Sequence, residues 1–243
     1  MATVRGWRRL LVAVLWLPAT GCGEPSRLNA RCLAGDVASC TRLGDMYAFG
    51  QGVERDLGRA GEAYARACDG GAYDVCNTLG EMHAQSGPLE DGRSEALFQR
   101  ACEGGSSAGC LNLGLAFAGR EDYVHAVSLF ERSCAAGWAP GCQQLGHSYE
   151  AGEGVRADGA KALAWYGQAC DGGLVDGCVS AGTLHLAGTL VAADPASAQQ
   201  FFGRAAAILD ESCQSGVERD CAERDRLRAR AAIAQAAAAQ AGR

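Results

Sequence analysis

The 243-residue chain contains a single lysine, Lys161, and four histidines. Chemistry that needs a lysine amine therefore has one candidate, and no H-x-H-x-D pattern supplies a metal cluster. No Ser/His/Asp set can be assembled from local spacing either. Basic charge is scarce: 22 Lys plus Arg face 28 Asp plus Glu, a net charge of −6, which argues against nucleic acid as a partner. The N-terminal apolar run from Leu10 to Leu17 is too short to cross a bilayer as a permanent helix.

Cysteine, by contrast, is abundant and regular. Twelve of the thirteen fall into six pairs of identical spacing, Cys32 and Cys40, Cys68 and Cys76, Cys102 and Cys110, Cys134 and Cys142, Cys170 and Cys178, Cys213 and Cys221. Each pair is C-x7-C, and the first members recur 36, 34, 32, 36 and 43 residues apart. A period in the thirties marks an array of helix pairs, which bury a core only by stacking on their neighbours. A glycine follows each first cysteine by three positions (Gly35, Gly71, Gly105, Gly137, Gly173, Gly216). Glycine there can take the left-handed conformation that stops a helix. Nearest-neighbour disulfides are the one pairing that treats every unit alike, and closing each nine-residue loop stabilises by about 2.6 kcal/mol on the chain-entropy model. Zinc sites need cysteines two to four residues apart; this spacing offers none, so neither metal nor cofactor is expected.

The remaining cysteine, Cys22, follows Arg5, Arg8 and Arg9, the apolar run and Ala19-Thr20-Gly21. The segment resembles a bacterial lipobox, although Ala19 stands where leucine is usual. That resemblance implies a signal peptide over residues 1–21 and diacylation of Cys22. Gly23 in place of Asp resembles an outer-membrane address. A plain secretory leader with Cys22 left free is the alternative. Removing residues 1–21 leaves 19 basic against 28 acidic residues, a net charge of −9. Persistent disulfides agree with an oxidising compartment. The expected location is the periplasmic side of the outer membrane, or outside the cell.

Reading from each second cysteine gives Cys40-x-x-Leu43-Gly44-x-x-Tyr47, Cys76-x-x-Leu79-Gly80-x-x-His83, Cys110-x-x-Leu113-Gly114-x-x-Phe117, Cys142-x-x-Leu145-Gly146-x-x-Tyr149 and Cys178-x-x-Ala181-Gly182-x-x-His185. Offsets of three and seven share one helical stripe, which predicts that Leu and the aromatic, or His83 and His185 in its slot, face the core of a helix A. A second segment, helix B, ends in the next cysteine: Ala60 to Cys68, Glu95 to Cys102, His125 to Cys134, Ala160 to Cys170. Unit 3 is short and is expected to turn tightly at Gly119-Arg120-Glu121. In the fifth unit Phe201-Phe202-x-Arg204-Ala205-Ala206 places alanine where cysteine belongs, and Cys213 comes seven residues later, almost two turns along one helix.

Leu43-Gly44-x-x-Tyr47-x-x-Gly50-x-Gly52-Val53, and Leu145-Gly146-x-x-Tyr149-x-x-Gly152-x-Gly154-Val155 with Lys161-Ala162-x-x-Trp165-Tyr166, resemble Sel-1-like repeats, relatives of tetratricopeptide repeats. C-x7-C in every unit brings the chain nearer to the helicobacter cysteine-rich protein family, and more distantly to a mitochondrial cytochrome oxidase assembly factor. The expected fold is all-α, a right-handed α/α superhelix of Sel-1-like repeats stapled by disulfides. Its expected divisions are a tether over residues 22–31, a solenoid over 32–221 of about five repeats plus an N-terminal partial unit, and a capping helix or tail over 222–243. Gly50-x-Gly52 and Gly152-x-Gly154 read as turns, because the third glycine of a nucleotide-binding fingerprint is missing.

The resemblance implies β-lactam binding or weak β-lactamase activity as one possibility. Serine β-lactamases need S-x-x-K, S-D-N and K-T-G, and none occurs here. The favoured expectation is a monomer that binds a protein or peptide in the groove lined by the A helices. Arg42, Asp45, Asn77, Glu81, Asn112, Gln143, Gln144 and His147 are expected to point outward there.

Overall fold

A computed structural model of the protein describes residues 23–86 and 92–241. Cys22 and the leader lie outside these residues. The described chain is helical throughout, with no strand: α1 (Glu24–Leu33), α2 (Val37–Phe49), α3 (Leu57–Asp69), α4 (Tyr73–Ser86), α5 (Arg93–Glu103), α6 (Ser107–Ala118), α7 (Tyr123–Ala135), α8 (Ala139–Ala151), α9 (Gly159–Asp171), α10 (Val175–Ala187), α11 (Pro195–Gln214) and α12 (Glu218–Ala241). Even-numbered helices are the A helices and odd-numbered ones the B helices. Each packs on its neighbours in sequence.

The punctuation of the sequence sets the boundaries. The six glycines three residues beyond a first cysteine all have φ between 82° and 96°, a range that favours glycine. In each case the glycine N–H donates to the carbonyl of that cysteine, as Gly71 does to Cys68 at 3.0 Å. This turns the chain back and sets Cys68 beside Cys76, with 4.8 Å between their Cα atoms. All six C-x7-C pairs stand at bonding distance, with S–S separations of 1.93–2.08 Å. Helices α3, α7, α9 and α11 start on Asp56, Asp122, Asp158 and Asp194, whose carboxylates accept from backbone N–H groups of the first turn. The bond from Ser197 holds the Asp194 carboxyl below the usual range, as the bonds from His125 and Ser39 do for Asp122 and Asp36.

The turn glycines and the short third connection are where the sequence puts them. Gly50, Gly52, Gly152 and Gly154 are left-handed, and Glu121 at φ 63° makes the tight turn between α6 and α7. Helix α11 runs unbroken through the seven extra residues to Cys213. Two expectations need correction. Residues 24–31 of the expected tether are helical, because α1 begins at Glu24, with Pro25 in its first turn, and serves as the B helix of the partial first unit. No separate cap starts at residue 222: α12 contains Cys221 and continues to Ala241, so the last A helix and the cap are one helix, seated by Leu227 and Ala234.

Packing follows the Leu-Gly motif. Leu43, Leu79, Leu113 and Leu145, and Ala181 in the same position, are buried. The glycine beside each admits the ring of the following B helix, Tyr64 at Gly44, Phe98 at Gly80, Phe130 at Gly114, Tyr166 at Gly146 and Phe202 at Gly182. The slot at offset seven is only half-buried at Tyr47, Phe117 and Tyr149, whereas offset six is buried at Met46, Ser148 and Leu184. A stripe drawn at three and seven is therefore rotated slightly away from the true core. His83 is corrected accordingly: it is exposed, not packed. His185 is half-buried and stacks on Phe201 with 5.8 Å between ring centroids.

Candidate functional site

Successive A helices approach one another, α4 to α6, α6 to α8 and α8 to α10. They form one face of the array, and each presents the fifth residue after its cysteine: Asp45, Glu81, Leu115, His147, Thr183 and Arg226. This row passes from acidic through apolar to basic.

What stands behind each member is decided on the B helix. Tyr64 donates its hydroxyl to Asp45 at 2.8 Å. Tyr166, its counterpart three units on, donates to Glu150 at 2.5 Å and lies 3.1 Å from Nδ1 of His147. Burial, and secondarily the neighbouring carboxylate, raises both phenols above their ordinary range, so both remain neutral donors. Phe98 and Phe130 fill the same slot behind Glu81 and Leu115 without a hydroxyl. Glu81 takes its bonds sideways instead, from the Asn77 and Asn112 amides, each at 2.9 Å.

Those amides are not all on the surface. Asn77 and Gln143 retain only 6% and 7% of their exposure, a correction to the expectation that both point into the groove. Each follows its cysteine by one residue, where the next A helix crosses. Asn112 donates to the Asn77 carbonyl oxygen at 2.8 Å, and Gln143 donates to the Ser180 hydroxyl at 3.0 Å. The buried Oε1 of Gln143 has no hydrogen-bond partner. Arg42, Glu81 and His147 are exposed, and Asp45, Asn112 and Gln144 partly so. Arg42 pairs with Glu24 of α1 at 3.3 Å.

A cavity of about 810 Å³ opens between α4, α5 and α6. Glu81, Gln85, Asn112 and Leu115 line it from the A helices, with Phe98 and Glu95 from α5 and Arg120 from the tight turn. Arg120 forks onto both carboxylate oxygens of Glu95, and its guanidinium lies 4.9 Å from the centre of the Phe117 ring. The cavity thus has an apolar floor, an acidic side at Glu81 and an ion pair at its rim. Sequence reasoning missed Phe98, Glu95 and Leu115 as lining residues. The one available signal was the missing Gly-x-Gly connection of the third unit, which brings Arg120 to that place.

The amine of Lys161 lies over the Tyr149 ring, 5.0 Å from its centre. Among the described residues no group of three or more His, Cys, Asp or Glu could hold a metal ion, and no helix is long and apolar enough to cross a membrane.

Comparison with known proteins agrees with this architecture. The family model described as Sel1 repeat matches residues 37–71, 79–106, 107–138, 139–174 and 175–207. A Sel1 repeat protein from Oxalobacter formigenes is similar in structure, with a TM-score of 0.64 at 17% identity over 74% of this chain and 75% of that one. Immunity protein Pa5087 from Pseudomonas aeruginosa has a TM-score of 0.50 at 17% identity over 76% of this chain and 73% of its own. At such identities the likeness concerns the fold. A search of the curated proteins finds no match.

Proposed function

The chain belongs to the Sel1 repeat family, and we propose that it is an exported, lipid-anchored scaffold that holds a protein or peptide segment against the face formed by its A helices. The carrying observation is the cavity of about 810 Å³ on that face, with Glu81 and Asn112 beside Phe98 and Leu115. An apolar floor with a few convergent polar groups suits a side chain presented by an extended segment. The exposed members of the row, Glu81, Leu115, His147, Thr183 and Arg226, would contact the rest of it.

Export is supported by six disulfides, which persist in an oxidising compartment. Anchoring at the periplasmic side of the outer membrane rests on Cys22 and the residues around it. Replacing Cys22→Ser is expected to release the protein from the membrane fraction or to block its processing; wild-type protein that is soluble and free of diacylglycerol would refute the anchor.

Binding is tested by a photo-crosslinking residue placed at Leu115 on the inner face or at Glu131 on a B helix, both exposed positions. The expected result is a discrete adduct from Leu115 in intact cells and none from Glu131. Equal adducts from both positions, or none from either, refute the groove.

A further inference from the structure

Five of the six disulfides share a covering. The Cys32–Cys40 bridge packs with Ala67, Cys68–Cys76 with Ala101, Cys134–Cys142 with Ala169 and Cys170–Cys178 with Ala205, in each case a residue of the next B helix. Cys102–Cys110 packs with Leu129 in the same way. Each bridge is thus sealed by the repeat that follows it, and the ten cysteines involved are between 0% and 6% exposed.

Among the described residues, no later B helix packs on Cys213–Cys221. Both of its cysteines are half-buried. The bridge is also displaced: Ala206 occupies the buried place that a cysteine fills in other units, and the sulfur comes seven residues further along α11, beyond the last matched repeat at residue 207. A second feature sets it apart. Nη1 of Arg224 lies 2.9 Å from Sγ of Cys213, and the guanidinium is held there by Asp225 at 2.8 Å and Asp210 at 3.6 Å. A guanidinium beside a sulfur favours its thiolate, and a thiolate-favouring sulfur is the better leaving group.

We propose that Cys213–Cys221 is a thiol–disulfide exchange site, with a dithiol as co-reactant, while the other five bridges are structural. A thiolate of the dithiol attacks Sγ of Cys221 and forms a mixed disulfide there. The Cys213–Cys221 bond breaks, and its electron pair leaves on Cys213 beside Arg224. The second thiol of the dithiol, once deprotonated, attacks the first sulfur and releases Cys221 as a thiolate. The dithiol ends as a disulfide, two electrons poorer, and its two protons go to Cys213 and Cys221. Leu227 and Ala234 seat α12 independently of the bridge, so the reduced cap stays docked and the pair can reoxidise.

The test uses the folded, oxidised protein and dithiothreitol in graded amounts, with N-ethylmaleimide as quench and peptide mass spectrometry as readout. Cys213 and Cys221 are expected to be labelled together at concentrations that leave the other ten cysteines unlabelled, with the helical circular dichroism signal unchanged. Even labelling across all pairs, another pair reduced first, or loss of helix in step with labelling overturns the proposal. Arg224→Gln is expected to slow reduction several-fold and Arg224→Lys to restore most of it; an unchanged or faster rate in Arg224→Gln removes Arg224 from the step. With glutathione as a monothiol probe, the trapped adduct is expected on Cys221, and an adduct on Cys213 overturns the order of attack.

Discussion

A Cβ added to Gly146 would lie 2.5 Å from two ring carbons of Tyr166. No real side chain tolerates that separation, and the buried ring has no free direction to move. Gly146→Ala is therefore expected to lower stability by about 1–3 kcal/mol through overpacking, although alanine favours a helix interior by about 1 kcal/mol over glycine. Chemical denaturation checks the sign. Tyr166→Leu should relieve part of the cost in the double variant, and additive losses would show that glycine is not there to admit the ring.

Repetition made the helix pairs, the disulfide register and the Leu-Gly seam legible in the sequence, because each signal recurs five or six times and a wrong phase would fail in every unit. The polar seam was not legible. Asn77 and Gln143 look like surface amides in isolation, and only the crossing of adjacent A helices buries them. The cavity was hidden for a related reason. Phe98, Leu115 and Arg120 come from three elements, and no local spacing connects them. His83 shows the limit of repetition itself: it shares a register with Tyr47 and Phe117, yet its side chain is exposed.

The amide seam makes a second prediction. Asn77→Ala removes a buried side chain that both donates to Glu81 and accepts from Asn112. Leaving partners unsatisfied costs about 1–3 kcal/mol, so the change is expected to destabilise more than an ordinary surface substitution. Asn112→Ala in the same background should add less than its cost alone, since the shared bond is already gone. A double-mutant cycle in urea measures the coupling, and strict additivity would place the two amides in independent environments.

Asp194 carries a pH dependence of known sign. Bonds from the Ser197 hydroxyl and from the backbone of Ser197 and Ala196 hold its carboxyl below the ordinary range in the folded state. A depressed folded pKa contributes stability that is fully present above the unfolded value of about 3.9 and is lost as pH falls through the folded value. Asn also caps helices, so Asp194→Asn keeps the cap and removes the titration. Melting temperatures of the two proteins should differ by a constant amount at neutral pH and converge below about pH 4. A gap that persists unchanged into acid would show that the carboxylate charge contributes nothing at this helix start.

Disulfide removal should separate loop closure from packing. All six bridges close loops of the same length, so the chain-entropy contribution is alike for each, about 2.6 kcal/mol. Cys170 and Cys178, however, sit in the core with Ala205, whereas Cys213 and Cys221 are half-buried at the end of the array. Replacing Cys170 and Cys178 together by serine leaves two hydroxyls in an apolar cluster and is expected to cost about 1–3 kcal/mol beyond loop closure. The same replacement at Cys213 and Cys221 should cost little more than loop closure alone. Denaturant titration of the two double variants, compared at equal slope, measures the difference, and equal losses would mean that the covering repeat adds nothing to the bridge beneath it.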